Sequence, residues 1–201
     1  MQFARWFSLS LTRKEAALRR IAAQVLRCQK CPLGENRELA VPGEGAYNAR
    51  IFLVGEAPGR EEDRLGRPFV GSAGKILDDA LARSGLKRKD IFLTSILKCR
   101  PPQNRNPKAS EIVACRPYLV RQIEAISPNV VVALGGFGFK GLTGTTPKIA
   151  DMRGRRLEFE GIPVVLTYHP AAVLRNRRLM RKFVNDLKRA KSLGEGSGGR
   201  A

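Results

Sequence analysis

The sequence contains one histidine, His169, and four cysteines in 201 residues, and its acids are outnumbered two to one, 18 Asp and Glu against 37 Lys and Arg. No stretch approaches the 18 apolar residues of a membrane span, so no membrane partner is expected. Residues 1–11 are apolar but broken by Arg5, with no long hydrophobic region leading to a small-residue cleavage site. They predict an N-terminal extension, not a secretory signal. Without a signal, so few cysteines point away from a disulfide framework and toward a reducing, cytoplasmic setting. The glycine-rich stretch after the first predicted strand carries neither G-x-G-x-x-G nor the Lys of G-x-x-x-x-G-K-[ST], which disfavours ATP or dinucleotide binding there.

The four cysteines that are present have an informative spacing. Cys28-Gln29-Lys30-Cys31 can bring two thiols to one metal centre, and the fold must supply Cys99 and Cys115. A zinc ribbon would show a second tight pair, whereas 15 residues separate Cys99 from Cys115. A redox C-x-x-C would leave the second pair unexplained. A cubane iron–sulfur cluster takes one Cys per iron and uses all four, so it leads, with zinc as the alternative.

The formal charge is +19, and residues 97–201 carry 20 basic against 7 acidic side chains. Such an excess favours a polyanionic partner, with a solvated basic face as the plainer alternative.

Apolar positions at helical spacing predict a helix over 12–27 that ends at Cys28. Nearly continuous apolar runs at 51–54, 91–94, 130–134 and 164–168 predict strands buried on both faces. Helical patterns at 72–84, 109–126, 136–142 and about 171–191 alternate with them. The expected fold is α/β, a three-layer α/β/α sandwich with a central parallel sheet of about four strands. A single domain spans 12–193, and the Gly- and Ser-rich 194–201 is expected to be a disordered tail.

Ligands of such sheets bind at the carboxyl ends of the strands, here loops 55–71, 95–107, 135–150 and 169–176. Glu56 directly follows the first strand, where a catalytic acid would face the cleft; a surface turn is the plainer alternative. His169 follows the last strand and precedes a helix, where its ring can donate to developing negative charge.

Four segments in order, the loop 55–74, Cys99-Arg100-Pro101-Pro102-Gln103-Asn104-Arg105, His169-Pro170-x-x-x-Leu174-Arg175 and the cysteine pattern, resemble family 4 uracil-DNA glycosylases. The resemblance covers about residues 15–191. It implies a monomeric base-excision enzyme with a structural [4Fe-4S] cluster on Cys28, Cys31, Cys99 and Cys115, acting on uracil in single- or double-stranded DNA. A replication clamp is the candidate protein partner. By the same resemblance, Glu56 lies below the sugar, the backbone around Gly55, Glu56 and Ala57 contacts uracil oxygens, and Phe69 stacks on the flipped base. Glu62 walls the pocket where the methyl of thymine would clash, and His169 donates to uracil O2. Ser95 departs from the family, most of which has an asparagine there to read the uracil edge. A hydroxyl can donate or accept but lacks the fixed geometry of an amide. Arg100, Arg105 and Arg175 are candidates for DNA phosphates. Leu174, with Val173 as a weaker choice, is the candidate wedge for the hole left by the flipped base. The alternatives are a noncatalytic or broader-specificity iron–sulfur nucleic-acid-binding relative. Glu56 argues against the broad-specificity class that lacks this acid. The absence of a second histidine argues against a relative that traps DNA covalently.

Overall fold

A computed structural model describes residues 10–196. The chain forms α1 (Leu11–Leu26), β1 (Glu44–Gly45), β2 (Ile51–Gly55), α2 (Arg60–Leu65), α3 (Ser72–Ser84), β3 (Phe92–Ser95) and α4 (Ala109–Ile126), in that order. Then come β4 (Val130–Leu134), α5 (Gly135–Thr143), α6 (Ile149–Met152), β5 (Leu157–Phe159), β6 (Ile162–Thr167), α7 (Pro170–Arg175) and α8 (Met180–Gly196). The sheet order is β1-β3-β2-β4-β6-β5, with the four central strands parallel. These four are the strands expected from the apolar runs. The edges β1 and β5 pair antiparallel and are too short to announce themselves in the sequence.

Alternation along each central strand divides the core in two. Phe52, Val54, Val131, Ala133, Val164 and Leu166 face one cluster with α1, α4 and α5. Ile51, Leu53, Val130, Val132, Leu134 and Val165 face the other with α3, α7 and α8. Helices thus cover both faces, which is why the strands are apolar throughout and why the fold is an α/β/α sandwich. β2 has β3 on one side and β4 on the other, so a crevice opens at its carboxyl end, where the winding direction reverses.

The long final helix expected over 171–191 is two helices. At Asn176 the backbone is extended and the side-chain carbonyl accepts the N–H of Arg178 at 3.1 Å, so a side chain replaces the continuing helical bond. α8 then runs through Gly196, and Asn129 donates to the Gly194 carbonyl at 2.7 Å. Residues 194–196, expected in the tail, are therefore helical; the rest of that stretch, 197–201, and residues 1–9 of the expected extension lie outside the described residues. The loop after β2 also holds the short helix α2. A G-x-G-x-x-G spacing does occur later, at Gly136 to Gly141, inside α5. A Cβ on Gly138 would stand 2.5 Å from the Val54 carbonyl, so this glycine serves close packing of α5 on the sheet. Among the described residues no helix is long and apolar enough to cross a membrane.

Candidate active site

The carboxyl ends of β2, β3 and β6 open onto one cavity of about 420 Å³. Glu56, Ala57, Glu62, Phe69, Ser95, Arg105, His169 and Arg175, expected from three separate stretches of sequence, all line it. Gly55 lies at the base of this wall: a Cβ there would stand 2.5 Å from Phe69 Cζ, so only glycine lets the ring lie against the strand end.

Phe69 is 7% exposed, its ring centroid 6.1 Å from that of His169, and its backbone has φ 51. A phenylalanine in the left-handed region is held there by its surroundings. Glu62 is one holder. Its carboxylate accepts the N–H of Gly59 at 3.0 Å, of Val70 at 2.9 Å and of Gly71 at 2.8 Å, so it clamps the loop across α2 while lining the cavity.

His169 caps α7. Its Nδ1 accepts the Ala171 N–H at 3.2 Å, which requires the ring proton to sit on Nε2. Nε2 is sealed from solvent and, among the described residues, has no partner, an unspent donor at the cavity. Burial, reinforced by the nearby Arg175 cation, pushes the histidine down to about 4, against a weaker upward pull from Glu62. The imidazole is neutral at physiological pH. Among the described residues the Glu56 carboxylate has no hydrogen-bond partner, and burial raises its pKa above the usual carboxylate range. The Ser95 hydroxyl also lacks a partner among the described residues, although the residue is only 5% exposed.

The basic residues divide. Arg105 makes a bidentate ion pair with Glu111, at 2.6 and 3.0 Å, which holds the loop to the start of α4. Arg100 donates to Asn104 at 2.8 Å. Leu174 is 41% exposed, whereas Val173 is fully buried in the core and cannot serve as a wedge. Asp186, the one acid in the basic stretch 171–191, is buried; it accepts from Arg153 at 2.5 Å and from Thr167 at 2.6 Å. It therefore anchors the end of β6 just before His169. Its spacing from Phe183 and Ala190, both buried, puts it on the same face of α8.

All four cysteines are free and line one small cavity with Lys98 and Tyr118. Among the described residues, no three Cys, His, Asp or Glu side chains are grouped to hold a single metal ion. Burial pushes the Cys115 thiol up to about 12 and raises Cys99, so neutralising partners matter here. Two cations supply them. Arg37 donates to Cys99 Sγ at 3.0 Å and to the Cys28 carbonyl at 2.9 Å. Lys98, 1% exposed, donates to Thr94 Oγ1 at 2.5 Å, Gln122 Oε1 at 2.7 Å and the Ser95 carbonyl at 2.8 Å. Lys98 is a functional residue that no motif in the sequence marks; it follows only the apolar pair Ile96-Leu97.

Residues 42–188 match the uracil DNA glycosylase superfamily. The chain belongs to that superfamily. Among its relatives, a type-4 uracil-DNA glycosylase of Pyrobaculum aerophilum is 43% identical over 178 residues, 85% of this chain and 91% of that protein. One from Archaeoglobus fulgidus is 45% identical over 179 residues, 84% and 89%. One from Thermotoga maritima is 42% identical over 183 residues, 89% and 95%. For a member of the glycosylase superfamily, the arrangement has a chemical logic: a free carboxylate, a neutral histidine with a spare donor and an aromatic face share one cavity at the mouth of a basic protein.

Proposed function

We propose that the protein is a monofunctional uracil-DNA glycosylase that hydrolyses the N-glycosidic bond of uracil in DNA and leaves an abasic site for base-excision repair. The observation that carries this reading is the pairing of an unpartnered Glu56 carboxylate with the fixed Nε2–H tautomer of His169 in one cavity. The uracil nucleotide must leave the base stack to enter. Its base lies on Phe69 with its oxygens at the backbone around Gly55 and Ala57. As the bond from C1′ to N1 breaks, electrons pass to uracil, and the Nε2–H of His169 stabilises the anion at O2. A neutral donor suits this task because Nε2 keeps its proton throughout. Positive charge grows at C1′, where the Glu56 carboxylate stabilises it and orients or deprotonates the attacking water. Ser95 offers one hydroxyl to the base edge. Leu174 fills the vacated stack, and Arg175 with the exposed cations of α8 meets phosphates.

We assign Cys28, Cys31, Cys99 and Cys115 to a [4Fe-4S] cluster. All four thiols border one cavity, and a cubane centre with one cysteine per iron would use all four. Arg37 and Lys98 would balance the thiolate charge. When bound, the cluster supplies structural cross-linking, and no step of the excision needs its electrons. The free thiols agree with a reducing, cytoplasmic setting.

The reading is tested by excision from uracil-containing and undamaged oligonucleotides, with abasic sites revealed by alkali. A wild-type protein that leaves no abasic site at uracil would refute it.

A further inference from the structure

Arg88 lies outside the cavity, in the helical turn Arg88–Asp90 that leads into β3, and its side chain is 26% exposed. It reaches under the loop that carries Phe69. Nη1 donates to the Phe69 carbonyl at 3.1 Å, and Nη2 donates to the Pro68 carbonyl. The same guanidinium is ion-paired to Glu44 of β1 at 3.1 Å and to Asp78 of α3 at 2.9 Å. Glu44 in turn accepts from Arg67 at 2.8 and 3.1 Å, one residue ahead of the Pro68-Phe69 pair.

Phe69 is thus gripped from both sides by opposite charges. Glu62 takes the amides that follow it, at Val70 and Gly71, and Arg88 takes its own carbonyl and the preceding one. A left-handed conformation at a non-glycine residue costs about 1–3 kcal/mol and persists only where neighbours over-determine it. Both carbonyls and both anions are met by one planar fork, a geometry lysine cannot reproduce.

We propose that Arg88 is a positioning residue for base binding, fixing Phe69 in its left-handed conformation so that the stacking face is formed before the flipped uracil arrives. This rests on the stacking role given to Phe69 above. Preformation acts on substrate and transition state alike, so its loss falls mainly on KM.

The test is a double-mutant cycle of Arg88→Ala and Phe69→Ala, read as kcat and KM for uracil excision beside melting temperature. Each single variant is expected to lower kcat/KM by about tenfold to a hundredfold, mostly through KM, and the double variant no further than Phe69→Ala. An Arg88→Ala loss of the same factor in both backgrounds overturns the proposal, as does a wild-type KM. Should Arg88→Ala fail to fold, Arg88→Lys decides: it keeps one charge between Glu44 and Asp78, so it is expected to melt near wild type yet show the raised KM. A wild-type KM in Arg88→Lys would also overturn the proposal. If wild type excises uracil and Phe69→Ala is unimpaired, the stacking role falls and this inference with it; if wild type excises nothing, the functional reading fails first.

Discussion

The Leu97 N–H donates to the Glu56 carbonyl at 3.1 Å, two residues before Cys99. Next to it the Ile96 N–H donates to the Gly55 carbonyl at 3.1 Å, and Lys98 holds the Ser95 carbonyl. The segment that delivers the third cysteine is therefore strapped to the strand end that carries the proposed catalytic carboxylate. The thiol cage and the cavity are separate sites joined by three residues of backbone.

Removing the iron of the proposed cluster, or replacing Cys99 with Ser, is expected to lower the melting temperature and uracil excision together. Iron content, melting and single-turnover rate measured on the same samples check this. A fully active, iron-free protein would show that the strap holds without the cage.

Glu62 satisfies three backbone amides, and hydrogen bonds to a charged group contribute about 1.5–3 kcal/mol each. Glu62→Gln keeps one acceptor oxygen and loses the charge, so it is expected to destabilise the protein by about 2 kcal/mol. Denaturant unfolding checks this; an unchanged midpoint would mean that the loop is held elsewhere.

His169 sits at about 4 in the folded chain against about 6.5 when unfolded. Below 6.5 the unfolded chain takes up a proton that the folded chain refuses. The stability due to a neutral His169 is therefore complete above about 6.5 and lost as pH falls from there to about 4. Unfolding free energies across that window should fall less steeply for His169→Asn than for wild type. For activity, the raised Glu56, as the proposed catalytic carboxylate, is expected to set the acid limb: excision should be lost as pH falls through a value above the ordinary carboxylate range, while His169 stays neutral. A limb that remains unchanged in Glu56→Gln would assign it to another group.

Leu174 and Val173 are neighbours with opposite environments, 41% and 0% exposed. Leu174→Ala is expected to slow excision from duplex more than from single strands, with little change in melting. Val173→Ala is expected to cost about 2 kcal/mol of stability from lost burial. Equal duplex and single-strand effects for Leu174→Ala would remove its wedge role.

The central strands and most helices were legible because their signals are local: continuous apolar runs for strands buried on both faces, and a 3.6-residue period between them. α3 and α4 have the expected bounds. What the sequence hid depends on partners distant along the chain. The break at Asn176 turns on one side-chain bond. Glu62 was legible as a cavity residue but not as a clamp on amides up to nine residues away. Arg105 was expected at phosphate, yet Glu111, six residues on, occupies its guanidinium. Arg88 and Lys98 carried no motif at all, since their roles arise from carbonyls that only the folded chain brings to them.

The most direct test is single-turnover excision of uracil by wild type, Glu56→Ala and His169→Ala, each purified without oxygen and matched in melting temperature. Wild type is expected to leave abasic sites at uracil only, and each variant to fall by about a hundredfold or more. Full activity in either variant would contradict the assignment of that residue to the chemistry.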